Sequence, residues 1–244
     1  MRWSKTIVIG LLTAIIALST YKILPDLASQ QNSLKETEHI QQLIKTNSDD
    51  SFSHQSWNAL KEENNDFIGY LKFESGLIET PVVQGRDNDE YLQRSFEGKF
   101  DTQGAPFMDA MASPYSTNIT IYGHNVYYDS NAKFSPLERL TDDESAKVNR
   151  KVKFYLKDKC REYEVVAVLY ITSEEAEEMD YSQSAFVTAR QKSEWMSFMM
   201  RKSLINGERE SSPYDNFLTL QTCRKWNENE HLLVICREVR RHSY

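Results

Sequence analysis

Two residues of this chain, a cysteine and a histidine, each follow an apolar stretch and could together carry out chemistry. Cys223 closes the run Asn216-Phe-Leu-Thr-Leu-Gln-Thr-Cys223, whose apolar and β-branched residues predict a β-strand. A polar loop follows, so the thiol is expected where a rigid strand meets solvent, which suits a nucleophile. The alternative for a lone cysteine is a small buried hydrophobic residue.

The histidine lies upstream, in the stretch Asn118-Ile-Thr-Ile-Tyr-Gly-His124-Asn125. This is a second predicted strand, and it ends in Gly followed by His. A free thiol titrates at about 8.5, so only a small fraction is thiolate at neutral pH. A nearby imidazole can raise that fraction as imidazolium, or act as acid and base in turn. His124 is therefore the candidate partner of Cys223, 99 residues away.

Together, the motifs Ile-Tyr-Gly-His-Asn and Thr-Leu-Gln-Thr-Cys resemble the signature of sortases, the cysteine transpeptidases of Gram-positive cell surfaces. The resemblance covers roughly Trp57 to Val239. It is closest to the class B type, because the chain has an N-terminal helical extension and a long segment before the Cys strand, and lacks a C-terminal membrane segment.

The resemblance implies a reaction in two halves. Cys223 attacks a carbonyl of a sorting-signal peptide from a surface protein or pilin and forms a thioester, while His124 protonates the departing amine. An amine from a cell-wall precursor or a pilin lysine then displaces Cys223. Wall anchoring and pilin polymerisation are both compatible with the sequence.

Sortases are also expected to carry an Arg at the start of the strand after the cysteine, donating hydrogen bonds to the developing oxyanion. Here that position holds His231. Three replacements follow, ranked in this order: His231 itself, Arg224 folding back over the site, and Arg237. The last lies six residues along the strand from His231, about 20 Å away.

Three further residues of the two motifs are expected to contact the substrate, namely Thr222, Asn125 and Leu220. Neither a metal nor another cofactor is expected. The acidic run from Glu174 to Asp180 is interpreted as a solvated loop.

Length and composition indicate one globular domain plus an appendage, since 40% of the 244 residues are hydrophobic and 27% are charged. The net charge of −7 argues against a nucleic-acid partner, which requires a basic face. Three cysteines, Cys160, Cys223 and Cys236, are too few and too scattered for a disulfide framework or a zinc-type pair.

The N-terminus predicts a single-pass membrane anchor. Thr6 to Tyr21 is a run of sixteen uncharged residues preceded by Arg2 and Lys5. Those charges place the N-terminal tip in the cytoplasm and the catalytic domain outside the cell membrane. A cleaved signal peptide is the alternative.

The expected domains are 1–25 as cytoplasmic tip and anchor, 26–56 as a helical or stalk linker, and 57–244 as the catalytic domain. Residues 26–50 fit a solvated stalk and a packed helix equally, and 47–51 is a predicted loop. Their apolar residues are spaced loosely like one helix face: Leu27, Leu34, Ile40, Leu43 and Ile44.

The remaining pattern predicts a mostly β fold with peripheral helices, an eight-stranded sortase-type barrel after the helical extension and one transmembrane helix. Strands are predicted at 67–73, 77–84, around 105–109, 118–123, 151–156, 162–172, into Cys223, and at 231–239. A short helix is predicted from 88, an acidic loop at 173–181 and an amphipathic helix at 184–206.

Three functions remain open at this point. The main hypothesis is a membrane-anchored class B-like sortase. The second is a degenerate, non-catalytic sortase fold that assists pilus or cell-wall assembly, since the expected Arg is missing. The third is a plain cysteine endopeptidase, which hydrolyses without transfer to an amine.

Overall fold

The computed structural model describes residues 5–44, 52–207, 212, 214–224 and 227–243, except for the side chains of Thr6, Lys22 and Glu228. The loop predicted at 47–51 lies outside these residues.

Eight strands form one closed barrel: β1 (Phe67–Phe73), β2 (Glu79–Val83), β3 (Phe107–Met108), β4 (Asn118–Tyr122), β5 (Lys151–Tyr155), β6 (Cys160–Thr172), β7 (Phe217–Arg224) and β8 (Asn227–His242). Around the barrel they follow the order β1-β2-β3-β4-β7-β8-β6-β5. The pairs β2–β3 and β4–β7 are parallel and the other pairs are antiparallel. The predicted mixed barrel is confirmed.

The barrel interior is apolar, because the strands turn Leu, Ile, Val and Phe side chains inward at alternate positions. Two further apolar clusters lie outside it, one beneath the N-terminal helices and one beneath a helix that precedes β7. Apolar side chains therefore fill the barrel interior and also cover part of its outer face.

The N-terminal helix α1 (Lys5–Leu43) is continuous and includes Pro25. A proline lacks the N–H that would bond four residues back, here to the Tyr21 carbonyl. The described side chains of the first half are exposed on all sides and mostly apolar, with Ile15, Ile16 and Leu18 each more than half exposed. By length and composition it is the one described helix that could cross a membrane.

The second half of α1 packs on the barrel through a stripe of four buried residues, Ser29, Ser33, Glu36 and Ile40. Their spacing of four, three and four residues is that of one helix face. Of the two predicted alternatives for this segment, the packed helix is thus the one found. The predicted apolar face is only partly correct, because Leu27 and Leu34 are more than half exposed.

A short helix, α2 (His54–Glu63), follows and is capped by Ser53, whose hydroxyl accepts from the Ser56 N–H. Trp57 and Leu60 pack it against Phe67 at the start of β1. The domain boundary predicted between 56 and 57 falls inside this helix. That division of the chain remains a prediction.

The acidic segment predicted as a loop at 173–181 is instead a helix, α4 (Ser173–Met179), which follows α3 (Asp143–Val148). The helix forms because Thr172 and Glu175 make a capping box, each side chain bonding the other's backbone N–H. Next comes α5 (Ala189–Lys202), shorter than the predicted 184–206 because Thr188 caps its start. The predicted short helix from residue 88 is a series of turns.

A buried ion pair ties β6 to β8. The Arg161 guanidinium donates two hydrogen bonds of 2.9 Å to the Glu238 carboxylate and one of 3.1 Å to the Pro114 carbonyl. Burial alone would raise the pKa of Glu238, but bonds from Arg161, Arg241 and Asn216 outweigh it and hold that pKa at about 2. These partners allow the Arg161 side chain to remain charged although only 1% of it is exposed.

Glu238→Gln should lower the free energy of unfolding by about 3–5 kcal/mol, because it leaves Arg161 buried without its counter-charge. Glu194→Gln, in the exposed pair with Arg190, is the matched control and should leave it unchanged within error. Because the folded pKa of Glu238 lies below 4.5, the wild-type chain keeps this contribution above pH 4.5 and loses it as pH falls toward 2. Urea titration across pH measures both effects, and equal losses in the two variants would contradict the assignment.

Candidate active site

Parallel pairing of β4 with β7 brings the two sequence motifs together. Tyr122 is in register with Gln221, and the next residue, Gly123, donates its N–H to the Gln221 carbonyl at 3.1 Å. Two residues beyond the Tyr122–Gln221 pair, the two strands reach His124 and Cys223. The Asn125 side-chain amide then donates to the Cys223 carbonyl at 3.0 Å, which joins the two strand ends.

His124 and Cys223 line the same cavity, of about 230 Å³, together with Leu92, Tyr122 and Gln221. A larger cleft of about 580 Å³ lies between α1 and the β1–β2 hairpin, and its described lining includes neither of the two motif residues. Chemistry rather than size therefore selects the smaller cavity as the candidate active site.

The ring of His124 is held by the backbone. Its Nε2 lies 2.8 Å from the Leu92 carbonyl oxygen, which can only accept, so Nε2 carries the proton. Nδ1 is then the ring atom left to accept or return a proton. The Leu92 carbonyl is a positioning contact, and the sequence offered no signal for it because it comes from a backbone atom 32 residues away.

Of the three cysteines, all free thiols, Cys223 is the one that is partly exposed. Cys160 and Cys236 are fully buried, and burial raises the pKa of Cys160 to about 12 and that of Cys236 further still. Neither buried thiol can supply a useful thiolate fraction near neutral pH.

His231 lies directly across from Cys223 on the neighbouring strand, so both side chains project from the same outer face of the barrel. Its Nδ1 is 3.0 Å from the Gln221 side-chain nitrogen. An amide nitrogen donates, so Nδ1 accepts and Nε2 carries the N–H. Burial lowers the pKa of His231, which keeps the ring neutral at pH 7.

Tyr181 approaches the same face from the segment that follows α4, with its ring centre 6.4 Å from that of His231. Burial first, and then the proximity of Cys223 and Asp109, raise the pKa of Tyr181 to about 12. The phenol is therefore a neutral group beside the thiol. It was not predicted, since nothing in the local sequence marks it.

Arg224 is engaged elsewhere. It forms an ion pair with Glu230, and its guanidinium lies over the Tyr170 ring, 4.3 Å from the ring centre. The strand register is irregular between Cys223 and Arg224, so these two contacts, and not strand alternation, fix the direction of its side chain. Arg237 pairs with Phe217, at the far end of β7.

The three predicted substrate contacts lie in different surroundings. Thr222 and Leu220 are fully buried on the inner face of the barrel sheet, so substrate contact is not proposed for them. Asn125 is half-buried and divides its amide between the Cys223 carbonyl and Glu138. Strand alternation from Cys223 would have selected Gln221, which lines the cavity, rather than its two neighbours.

Two groups of side chains could approach a metal ion within the described part of the chain: Cys160, Glu162 and His242, and His39, Glu63 and Glu97. Neither group includes a residue of the cavity that Cys223 lines.

A closed mixed barrel with a thiol and an imidazole on adjacent strand ends defines a cysteine acyl-transferase type of site. The sortase domain family model matches residues 71–239. The chain therefore belongs to the sortase family of cysteine transpeptidases and is class B-like.

Its relatives are consistent with that class. Sortase B of Staphylococcus aureus is 25% identical over 244 residues, covering 98% of each chain. The structure of Clostridium perfringens sortase B is similar, with a TM-score of 0.69, 26% identity and coverage of 75% of this chain and all of that one. Sortase B of Bacillus anthracis in complex with AAEK1 gives a TM-score of 0.74 at 22% identity, covering 88% and 99%.

Gly104→Ala should disturb the site through the contact that holds His124. Gly104 has φ +59°, and a Cβ there would lie 2.6 Å from the Tyr91 carbonyl oxygen and 2.7 Å from the Leu92 carbonyl oxygen. Gly98→Ala is the matched control, with φ +78° and nothing within 4 Å of its Cβ.

Gly98→Ala should lose about 1–2 kcal/mol of stability from the left-handed backbone, and Gly104→Ala should lose more, because its Cβ also meets two backbone carbonyl oxygens. Only Gly104→Ala should also lose about ten- to a hundred-fold in the rate of Cys223 acylation, because the imidazole shifts. The acylation rates are measured by quenching the reaction at successive times, at a temperature at which both variants are folded. Equal rates would show that the Leu92 contact does not position His124.

Proposed function

We propose that this chain is a membrane-anchored, class B-like sortase that cleaves the C-terminal sorting motif of surface proteins or pilins through a Cys223 thioester. It then transfers the acyl group to an amine of a cell-wall precursor or a pilin lysine. The observation that carries the proposal is that Cys223 and His124 line the same cavity. The hydrogen bond from Asn125 to the Cys223 carbonyl joins the two strand ends that present them.

In the first half-reaction, Nδ1 of His124 takes the proton of the Cys223 thiol, the resulting thiolate attacks the scissile carbonyl, and the carbonyl electron pair moves onto oxygen. Collapse of this intermediate breaks the C–N bond, and His124 supplies the proton that the departing amine needs. Since Nε2 is bonded to Leu92, Nδ1 is the atom assigned to this transfer. The product is a thioester on Cys223.

In the second half-reaction, the incoming amine attacks the thioester carbonyl and gives up a proton to His124. Cys223 leaves as thiolate, and a new amide bond replaces the thioester. Both halves pass through an oxyanion, so a donor aimed at that oxygen accelerates both.

We assign the oxyanion donor to His231 in place of the Arg expected for the family. Its position across from Cys223, and a Gln221 bond that leaves Nε2–H as the donor, support this assignment. A neutral N–H is a weaker donor than a guanidinium. Tyr181 offers a neutral hydroxyl on the same face as a supporting donor.

Membrane anchoring is proposed from the apolar first half of α1, which is exposed on all sides and long enough to span a bilayer. Lys5 at its start supports a cytoplasmic N-terminus and a barrel outside the cell. Sorting-signal peptides, an amine acceptor and the cell membrane are therefore the proposed partners.

A non-catalytic assembly factor is the second candidate, favoured by the neutral His231 where a charged donor is expected. It predicts a fold that binds sorting signals without acylation. A thioester assay separates the two functions.

Incubating the full chain with a pool of candidate sorting-motif peptides should give an acyl adduct on Cys223, seen by intact mass spectrometry and peptide mapping. Cys223→Ala should abolish it, while the Cys160→Ala control should retain it because Cys160 is buried. Added triglycine should convert the adduct to an amide product. Hydrolysis alone would indicate an endopeptidase, and no adduct at all would indicate the assembly factor.

His231→Ala should lower the acylation rate by about a hundred- to a thousand-fold if it is the oxyanion donor. His231→Arg should retain or exceed the wild-type rate, because a charge-assisted bond is stronger. Arg224→Ala is the control and should change the rate little, since that side chain is paired with Glu230. A larger loss in Arg224→Ala than in His231→Ala would reverse the assignment.

A further inference from the structure

Three exposed aromatic residues lie on two loops that contact α1 beyond its apolar half. Phe100 is 66% exposed, Tyr127 51% and Tyr128 38%. These three residues are called the aromatic rim below. All three belong to loops that contact α1 or lie beside those contacts, whereas scattered exposed apolar residues elsewhere need no explanation.

Thr102 fixes the position of the first loop against α1. Its N–H donates to the Ser29 hydroxyl at 3.0 Å, and its hydroxyl donates to Asp26 at 3.2 Å. Asp26 and Ser29 lie two and five residues beyond Leu24, the last apolar residue of the first half, or about 3 and 7.5 Å along the helix axis.

The headgroup layer on each side of a bilayer is about 5–7 Å thick. If the hydrocarbon region ends near Leu24, Thr102 lies at the depth of the lipid headgroups. Phe100 is two residues from Thr102, within about 7 Å along the chain. The rim residue Phe100 is thus within reach of the bilayer surface.

The tyrosine pair lies beside the same loop. The Gln103 side-chain amide donates to the Tyr128 hydroxyl at 3.3 Å, and the rings of Tyr127 and Tyr128 meet edge to face at 4.8 Å. Tyrosine rings, apolar at one end and polar at the other, are enriched where hydrocarbon meets water.

Glu36 clamps both loops to the helix. Its carboxylate accepts from the Glu97 N–H at 3.1 Å and pairs with Lys133 at 3.5 Å, and both side chains of the pair are at most 10% exposed. Since Glu97 precedes Phe100 and Lys133 follows Tyr128, the rim is held at both ends. It cannot swing away from the helix without breaking a buried ion pair.

From this placement we infer that the aromatic rim inserts into the headgroup layer of the bilayer that α1 crosses, as a second membrane contact made by the barrel domain itself. The inference rests on the proposed membrane anchoring. The occupant is lipid rather than a second protein copy, because the rim is continuous with the apolar helix. The tyrosines lie on the loop between His124 and Lys133, so this contact holds the active-site loop against the membrane surface.

The test uses the full chain reconstituted into phosphatidylcholine vesicles, with Phe100 or Tyr127 replaced by the photo-crosslinker p-benzoylphenylalanine. Val187 is the control position, since it is 90% exposed and its N–H bonds to Gln191 on α5. After irradiation, mass spectrometry identifies what is attached. Positions 100 and 127 should carry lipid about ten-fold more often than position 187.

Extraction at high pH is run in parallel and reports on the anchor separately. A chain that stays in the vesicles yet carries no more lipid at 100 and 127 than at 187 would overturn the rim contact alone. A chain released by extraction would overturn the anchoring, and the rim contact with it.

Crosslinks from 100 or 127 to a second copy of the chain would also overturn the assignment to lipid. Adding a minority of phosphatidylglycerol should leave the labelling unchanged, because aromatic rings and not cations make the contact. Labelling that required the anionic lipid would contradict that physical basis.

Discussion

The parallel pairing of β4 with β7 is the constraint on which the rest of the structure depends. Two segments almost a hundred residues apart are held in a register in which the Gly123 N–H bonds to the Gln221 carbonyl. This register leaves His124 beside Cys223. Slipping the register by one residue would turn one of the two side chains to the opposite face of the sheet. The other six strands complete the closed barrel that holds this strand pair.

The two motifs made the fold and the Cys223–His124 pair accessible from sequence, because apolar strands ending in reactive residues leave a local pattern. Other features left no such pattern. The stripe that docks α1 contains two serines and a glutamate, which an apolar periodicity search passes over in favour of the exposed Leu27 and Leu34. The segment after Thr172 reads as a solvated acidic loop until its capping box is considered. The Leu92 and Tyr181 contacts depend on distant chain segments, which only the folded structure brings near.

The electrostatics around Cys223 differ from those elsewhere in the same barrel. Between β6 and β8 the chain buries the Arg161 guanidinium and supplies it with the Glu238 carboxylate and backbone carbonyls. Near the thiol, Glu230 is paired with Arg224 and Glu138 accepts from Tyr170 and Asn125. The position across from Cys223 is instead filled by a partly buried imidazole whose pKa is lowered, so its neutral form is favoured. That choice avoids desolvating a charge but leaves a weaker donor.

The unbroken course of α1 through Pro25 bears on how this enzyme finds its partners. A flexible tether would let a catalytic domain sweep a hemisphere above its anchor, whereas a stiff helix docked by Ser29, Ser33 and Glu36 has no slack. Under the membrane anchoring proposed above, the catalytic domain is held at one fixed height above the bilayer and meets its partners only by lateral diffusion. Encounters then become a two-dimensional search, restricted to donors and acceptors whose reactive groups are presented at that same height.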